Sequence, residues 1–191
     1  VFAISGCGRA PWVPADGDVV FQVSRSAQSA AIQLATGSRW SHVGIVFHHD
    51  EKPWVLEAAA TVRAAPLDEW LARGDDGHYV ATRLRHAARD LGPDVRARMA
   101  AHGLALLGRP YDPHFRWSDD QLYCSELVWK LYAEDAGLEL CPLRRAADYQ
   151  LDDPDVVRLA ARRGGPPPAD EPVIAPSDLL GSPFLVVVGR G

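Results

Sequence analysis

Apolar residues at positions 124, 127, 128, 131 and 132 repeat with the spacing of one helix face, and the first of them is a cysteine. A loop carrying Trp117, Ser118, Asp119 and Asp120 precedes them, so the thiol of Cys124 falls in the first turn of the predicted helix. First-turn N–H groups have no intrahelical acceptor, and the helix dipole is positive there; both favour a thiolate. Taken alone, a cysteine on an apolar face is a small core residue. It reads as a nucleophile only if a base and an orienting group exist elsewhere in the chain.

The totals narrow the field. With 191 residues the chain is long enough for one domain with a sizeable core. A formal charge of −5 argues against a nucleic-acid partner, because no basic excess exists to neutralise phosphates. Three cysteines, Cys7, Cys124 and Cys141, make neither a disulfide framework nor a zinc motif. The run from His48 to Glu51 reads as a polar turn, so no metal and no cofactor is expected. No apolar run has the length of a membrane-spanning helix.

Along the chain, strands are expected at residues 18–23, 42–47, 53–57, 61–64, 79–84 and 184–188. Helices are expected at 26–36, with Ser24 or Ser26 as cap and Gly37 as stop, then at 67–72, from Pro93 to about Leu107, from Cys124 onward, and as a turn at 177–180. The segment 141–172 has the least regular pattern, with a loop at 164–168, and is expected to shape one wall of the cleft. Cys141 is expected to be buried rather than bridged to Cys124. The sum is an α+β fold, a mostly antiparallel sheet packed against a few helices, in one domain over 17–191.

His42 opens a strand after Arg39-Trp-Ser, where loop passes into sheet. Alternation places His42, Gly44 and Val46 on one face, and Val55 and Glu57 on one face of the next strand. A carboxylate ending an apolar strand needs a partner, and His42 is available if the strands pair. That set suits attack on a carbonyl. His42 takes the thiol proton, Glu57 fixes its tautomer, and N–H groups at the start of the Cys124 helix face the oxyanion. Each residue also has a structural reading: His42 a satisfied strand-end histidine, Glu57 a surface acid on an edge strand.

The motifs Gly17-Asp-Val-Val-Phe-Gln22, Gln28-Ser29, Ala31-Ile-Gln33, Ser41-His-Val-Gly-Ile-Val46, Glu57-Ala58, Pro66-Leu67, Pro110-Tyr-Asp112, Trp117-Ser-Asp119 and Tyr123-Cys-Ser-Glu-Leu-Val-Trp-Lys130 resemble the YiiX-like cysteine hydrolases. These belong to the circularly permuted branch of the NlpC-type papain-like superfamily, in which the histidine strand precedes the cysteine helix, as here. The resemblance covers about residues 17–135, with an echo in Pro176-Ser-Asp178 and Ser182-Pro183. It implies a permuted papain-like fold with Cys124 as nucleophile, His42 as base and Glu57 as orienting residue. Tyr123, Tyr111 and Asp112 are further motif positions. Tyr123 lines the site or packs beside it, and Asp112 braces the loop before Cys124 more readily than it touches substrate.

The resemblance implies a hydrolase that cleaves an amide, of a peptide or cell-wall type, through an acyl-thioester. The alternatives are a lipid amidase or acyltransferase with the same three residues, or a non-catalytic binding module of the envelope. An apolar cleft mouth would favour lipid, and fixed charges a peptide. At the other end, Ile4-Ser-Gly-Cys7 resembles a bacterial lipobox, which makes 1–16 a processed signal, tether and linker, with Cys7 lipidated. The expected location is then the bacterial envelope or periplasm, with a membrane tether at Cys7.

Overall fold

A computed structural model describes residues 11–26, 28–162 and 164–191; Cys7 and the lipobox lie outside them. In chain order the elements are β1 (Val19–Gln22), α1 (Ser29–Thr36), β2 (His42–His49), β3 (Lys52–Ala58), β4 (Val62–Pro66), α2 (Leu67–Ala72), β5 (Tyr79–Leu84), α3 (Ala87–Asp90), α4 (Pro93–Ala105), α5 (Cys124–Lys130), β6 (Arg144–Arg145), α6 (Pro154–Ala161), β7 (Pro172–Val173), α7 (Pro176–Leu180) and β8 (Leu185–Arg190). Six strands form one antiparallel sheet in the order β4-β3-β2-β1-β5-β8, and β6 pairs with β7 apart from it.

The sheet buries both faces, and the period of two sorts its residues between them. Val43, Ile45, Leu56 and Ala58 face one core with Leu127, Val128, Leu131 and Tyr132 from α5 and the turn after it. Val20, Val46, Val55 and Ala81 face a smaller core closed by Leu67 and Trp70 of α2. Strands β2 and β3 form a hairpin whose two turn residues, Asp50 and Glu51, both have positive φ (50° and 61°). That is the turn whose twist matches a tight two-residue hairpin. The turn is thus shorter than the five residues expected, and both strands run longer.

Gly44 matters to this pairing. A Cβ there would come within 2.4 Å of Val55 Cγ1 and 3.0 Å of the Leu56 carbonyl oxygen, so only glycine lets β2 approach β3 at that point.

Beyond the hairpin turn, the structure departs from the sequence reading at α1 and within 141–172. Helix α1 begins at Ser29, not Ser26; the Ser24 hydroxyl accepts the Ser26 N–H at 3.0 Å and makes a local turn instead of a cap. The segment 141–172 holds a regular helix, α6, started by Asp153, whose carboxylate accepts the N–H groups of Asp155 (2.8 Å) and Val156 (3.3 Å). The stretch expected as linker is anchored from Trp12: its indole donates to Asp18 at 2.9 Å, and Asp16 accepts the His48 N–H at 2.7 Å.

Candidate active site

His42 is the first residue of β2, and it is held in register by pairing with Gln22 of β1. Its Nε2 lies 2.5 Å from Oε2 of Glu57, one strand over in β3. This leaves Nδ1 for the thiol, and His42 hydrogen-bonds Cys124 at the start of α5. All three side chains are buried. The structure therefore brings together Cys124, His42 and Glu57, the three residues singled out in the sequence. Glu57 is neither a surface acid nor on an edge strand, since β4 flanks β3.

Four donors converge on Glu57. Besides His42, Trp70 donates its indole N–H to Oε2 at 2.8 Å, and Oε1 accepts from Arg63 Nε at 2.9 Å and Arg73 at 2.8 Å. Burial alone would raise this carboxyl, but the hydrogen bonds from His42 and Arg73 outweigh it and hold it near 2. Burial likewise works against a charged imidazole. The hydrogen bonds to Cys124 and Glu57 overcome that and lift His42 to about 9. The site thus keeps an anionic acid behind a cationic histidine, the state in which imidazolium can give its proton to a leaving group.

The loop before Cys124 is tied down on both sides. The Glu126 carboxylate accepts the N–H groups of Tyr123 and Ser118, each at 3.3 Å, and pairs with Lys130 at 2.9 Å. Burial pushes Glu126 up to about 7. Lys130 in turn reaches the Ser118 carbonyl (2.6 Å) and Asp119 (2.7 Å). The residues flanking Cys124 grip the backbone of one residue on both sides: the Tyr123 hydroxyl accepts the Ile174 N–H at 3.2 Å, and the Ser125 hydroxyl donates to the Ile174 carbonyl at 2.7 Å.

Cys124 opens into a cavity of about 100 Å³. Its lining is apolar, with Ala31 and Ile32 from α1, Leu159 and Ala160 from α6, and Pro166 and Val173 among the contributors. The segment 141–172 does supply a wall of the cleft. Tyr123, Tyr111 and Asp112, placed at the site by the sequence reading, do not line this cavity. Tyr123 is turned to the Ile174 backbone, and Tyr111 packs against the main core. Asp112 spends its oxygens on the N–H groups of His114 (2.8 Å) and Arg116 (2.5 Å), which braces the loop. Cys141 is buried and unbridged, its thiol pushed by burial to about 12.

Residues 13–189 match the family described as a permuted papain-like amidase enzyme, YaeF/YiiX, C92 family. The chain belongs to this family. It is also similar to the uncharacterized protein YiiX of Escherichia coli strain K12, 38% identical over 180 residues that cover 94% of this chain and 88% of that one. A crystal structure described as the metalloprotein YiiX from Escherichia coli O157:H7 superposes with a TM-score of 0.88 at 38% identity, covering 94% of this chain and 99% of that one. The chain is accordingly a cysteine hydrolase of the permuted papain-like amidases, with its histidine strand before its cysteine helix.

In this permuted papain-like amidase the partners of Glu57 other than His42 escaped the sequence reading. Arg63 sits directly opposite Glu57 in the β3–β4 pairing. The short connection between those strands held that signal, since it fixes the register. Trp70 and Arg73 arrive from α2 and the residue after it, and no local pattern ties them to Glu57.

Proposed function

We propose that this chain cleaves an amide or ester whose acyl part is apolar, through a thioester on Cys124. The observation that carries the reading is the apolar cavity into which the Cys124 thiol opens. Cys124 attacks the carbonyl with its proton already taken up by His42, the imidazolium gives that proton to the leaving amine, and Glu57 holds the imidazole in place. Water then releases the acid. An acyl chain gains about 0.8 kcal/mol for each CH₂ it buries, so a cavity of this kind discriminates by chain length. This favours the lipid-amide alternative over a cell-wall peptide, whose charges would meet no charged side chain among the mostly apolar lining residues.

A protein-held metal does not suit these donors. Glu57 is taken up by four donors and His42 Nε2 by Glu57, which leaves one ring nitrogen and one thiol. Among the described residues no three His, Cys, Asp or Glu side chains stand close enough to form a metal centre. The reading includes an envelope location with Cys7 lipidated, which metabolic labelling with a clickable palmitate, compared with Cys7→Ala, would test.

The test of the acyl reading is hydrolysis of p-nitrophenyl acetate against p-nitrophenyl octanoate, and of N-octanoyl-p-nitroanilide. Octanoate should be preferred, Cys124→Ala should be inactive, and Ala160→Trp should remove the octanoate preference while sparing acetate. Equal rates for both chain lengths, unmoved by Ala160→Trp, would overturn it.

A further inference from the structure

We infer that Phe115 is the specificity-determining residue of the cavity at Cys124, narrowing it to straight acyl chains, and that Asp112 is the positioning residue that holds its ring there. The inference deepens the acyl reading above and rests on it for the class of substrate.

The first observation is in the backbone. Phe115 has a φ of 53°, in the left-handed region. Among the described residues the other non-glycines found there are Asp50, Glu51 and Asp76, all exposed acids in turns. A bulky aromatic in that region is strained, and it stays only where its surroundings over-determine it. Asp112 supplies the constraint. Its buried carboxylate accepts the N–H groups of His114 at 2.8 Å and Arg116 at 2.5 Å, the residues on either side of Phe115. The Asp112 N–H donates to the Leu122 carbonyl at 3.2 Å, two residues before Cys124. The turn that carries Phe115 is thus built in register with the nucleophile.

The second observation is the ring. It lines the same cavity as Cys124 and lies edge-on to Tyr123, the preceding residue, with 5.2 Å between centroids and 71° between planes. Tyr123 is itself fixed, since its hydroxyl accepts the Ile174 N–H. Among the described lining residues only Phe115 and Tyr149 are aromatic, and the Tyr149 hydroxyl is engaged by Asp178. Phe115 has no polar atom in its side chain. A strained backbone that sets such a ring in the nucleophile's cavity is explained by what the ring excludes. A straight chain passes it, whereas a branch beside the carbonyl meets it.

Two isomeric esters separate these shapes. p-Nitrophenyl octanoate and p-nitrophenyl 2-propylpentanoate carry acyl groups of the same atoms, one straight and one branched beside the carbonyl. The readout is the ratio of their kcat/KM values, with the acetate ester as short reference. Phe115→Gly removes the ring, and glycine takes a φ of 53° without strain, so the turn is kept. The straight-to-branched ratio should fall by about 10-fold or more from wild type, the discrimination that a carbon or two supplies in an apolar pocket. Asp112→Asn keeps one of the two acceptors and loosens the ring, so its ratio should fall in the same direction. Because Asp112 acts through the ring, Asp112→Asn should add nothing in the Phe115→Gly background. Alkylation of Cys124 by iodoacetamide, followed by intact mass, reads the thiol alone and should persist in every variant.

A ratio unmoved by Phe115→Gly, with octanoate still preferred to acetate in wild type, would overturn the role of Phe115 and leave the acyl reading standing. A further fall in the double variant would overturn the positioning role of Asp112. Alkylation lost in either single variant would overturn both roles, because the turn would then serve the nucleophile and not the cavity. A wild type that takes all three esters in proportion to their rates with hydroxide would sink the acyl reading, and the inference with it.

Discussion

The indole of Trp70 lies offset against the imidazole of His42, 5.9 Å between ring centroids and 25° between planes. The same indole donates its N–H to Glu57 at 2.8 Å. One side chain thus sets both the plane of the imidazole and the acceptor it faces. Trp70→Phe keeps a ring to stack and removes the donor. Urea unfolding should show a loss of about 1.5–3 kcal/mol, the range for a hydrogen bond to a charged group. Steady-state kinetics should show a lower kcat with KM little changed, since Trp70 is absent from the cavity lining.

Glu57→Gln removes the charge that two guanidiniums and an imidazole share. Arg63 and Arg73 are each partly exposed, so water recovers much of their loss and the fold should survive. Catalysis should not. The imidazolium loses its counter-charge, and kcat/KM should fall by about 10²–10⁴-fold, the span of a general acid–base contribution. Circular dichroism and kinetics on the same preparation check the contrast. A variant with near wild-type turnover would remove Glu57 from the mechanism.

The two shifted groups set a pH window for stability. His42 is raised from 6.5 to about 9, so its contribution is complete below 6.5 and is lost as pH climbs through 9. Glu57 is lowered from 4.5 to about 2, so its contribution is complete above 4.5 and is lost as pH falls through 2. These two groups alone give a plateau between 4.5 and 6.5, on which Glu126, raised by burial from 4.5 to about 7, superimposes a loss as pH rises, so melting temperature should peak near 4.5 and decline on each side. Cys124→Ala removes one of the two hydrogen bonds that lift His42, so the alkaline decline should begin at lower pH. Scanning calorimetry across the range reads both effects; a flat alkaline limb in the wild type would contradict them.

Two glycines should respond differently to alanine. At Gly44 the new methyl would meet Val55 at 2.4 Å and the Leu56 backbone at 3.0 Å, which forces apart the strands that carry His42 and Glu57. Overpacking of this kind costs about 1–3 kcal/mol. At Gly103, inside α4, the nearest atom is the tip of Leu56 at 2.5 Å, and the helix gains about 1 kcal/mol from alanine. Gly44→Ala should lose stability and activity together, while Gly103→Ala should be close to neutral in both. Paired urea titrations and turnover measurements decide the matter.

Much of the site was legible because its parts obey local rules. Period-two alternation put His42 and Glu57 on matching faces of neighbouring strands, and the 3.6-residue spacing put Cys124 at a helix start. The residues 67–72 and 79–84 fall where the pattern places them. What escaped depends on tertiary convergence. Trp70 and Arg73 reach Glu57 only after α2 folds over the sheet. Helix α6 is a different case. Asp153 followed by Pro154 is a helix-start signal, obscured by the glycines and prolines that follow it.

The order of the chain has a consequence for how the enzyme comes into being. His42 and Glu57 belong to one hairpin closed by a two-residue turn, a contact of short loop length that forms at little entropic cost. Cys124 arrives much later, on a helix that docks across a sheet of which five of the six strands precede it in the chain. On a ribosome the proton-handling half of the site is made while the sulfur is still unmade. The nascent enzyme thus meets its nucleophile only after its base and acid have been made.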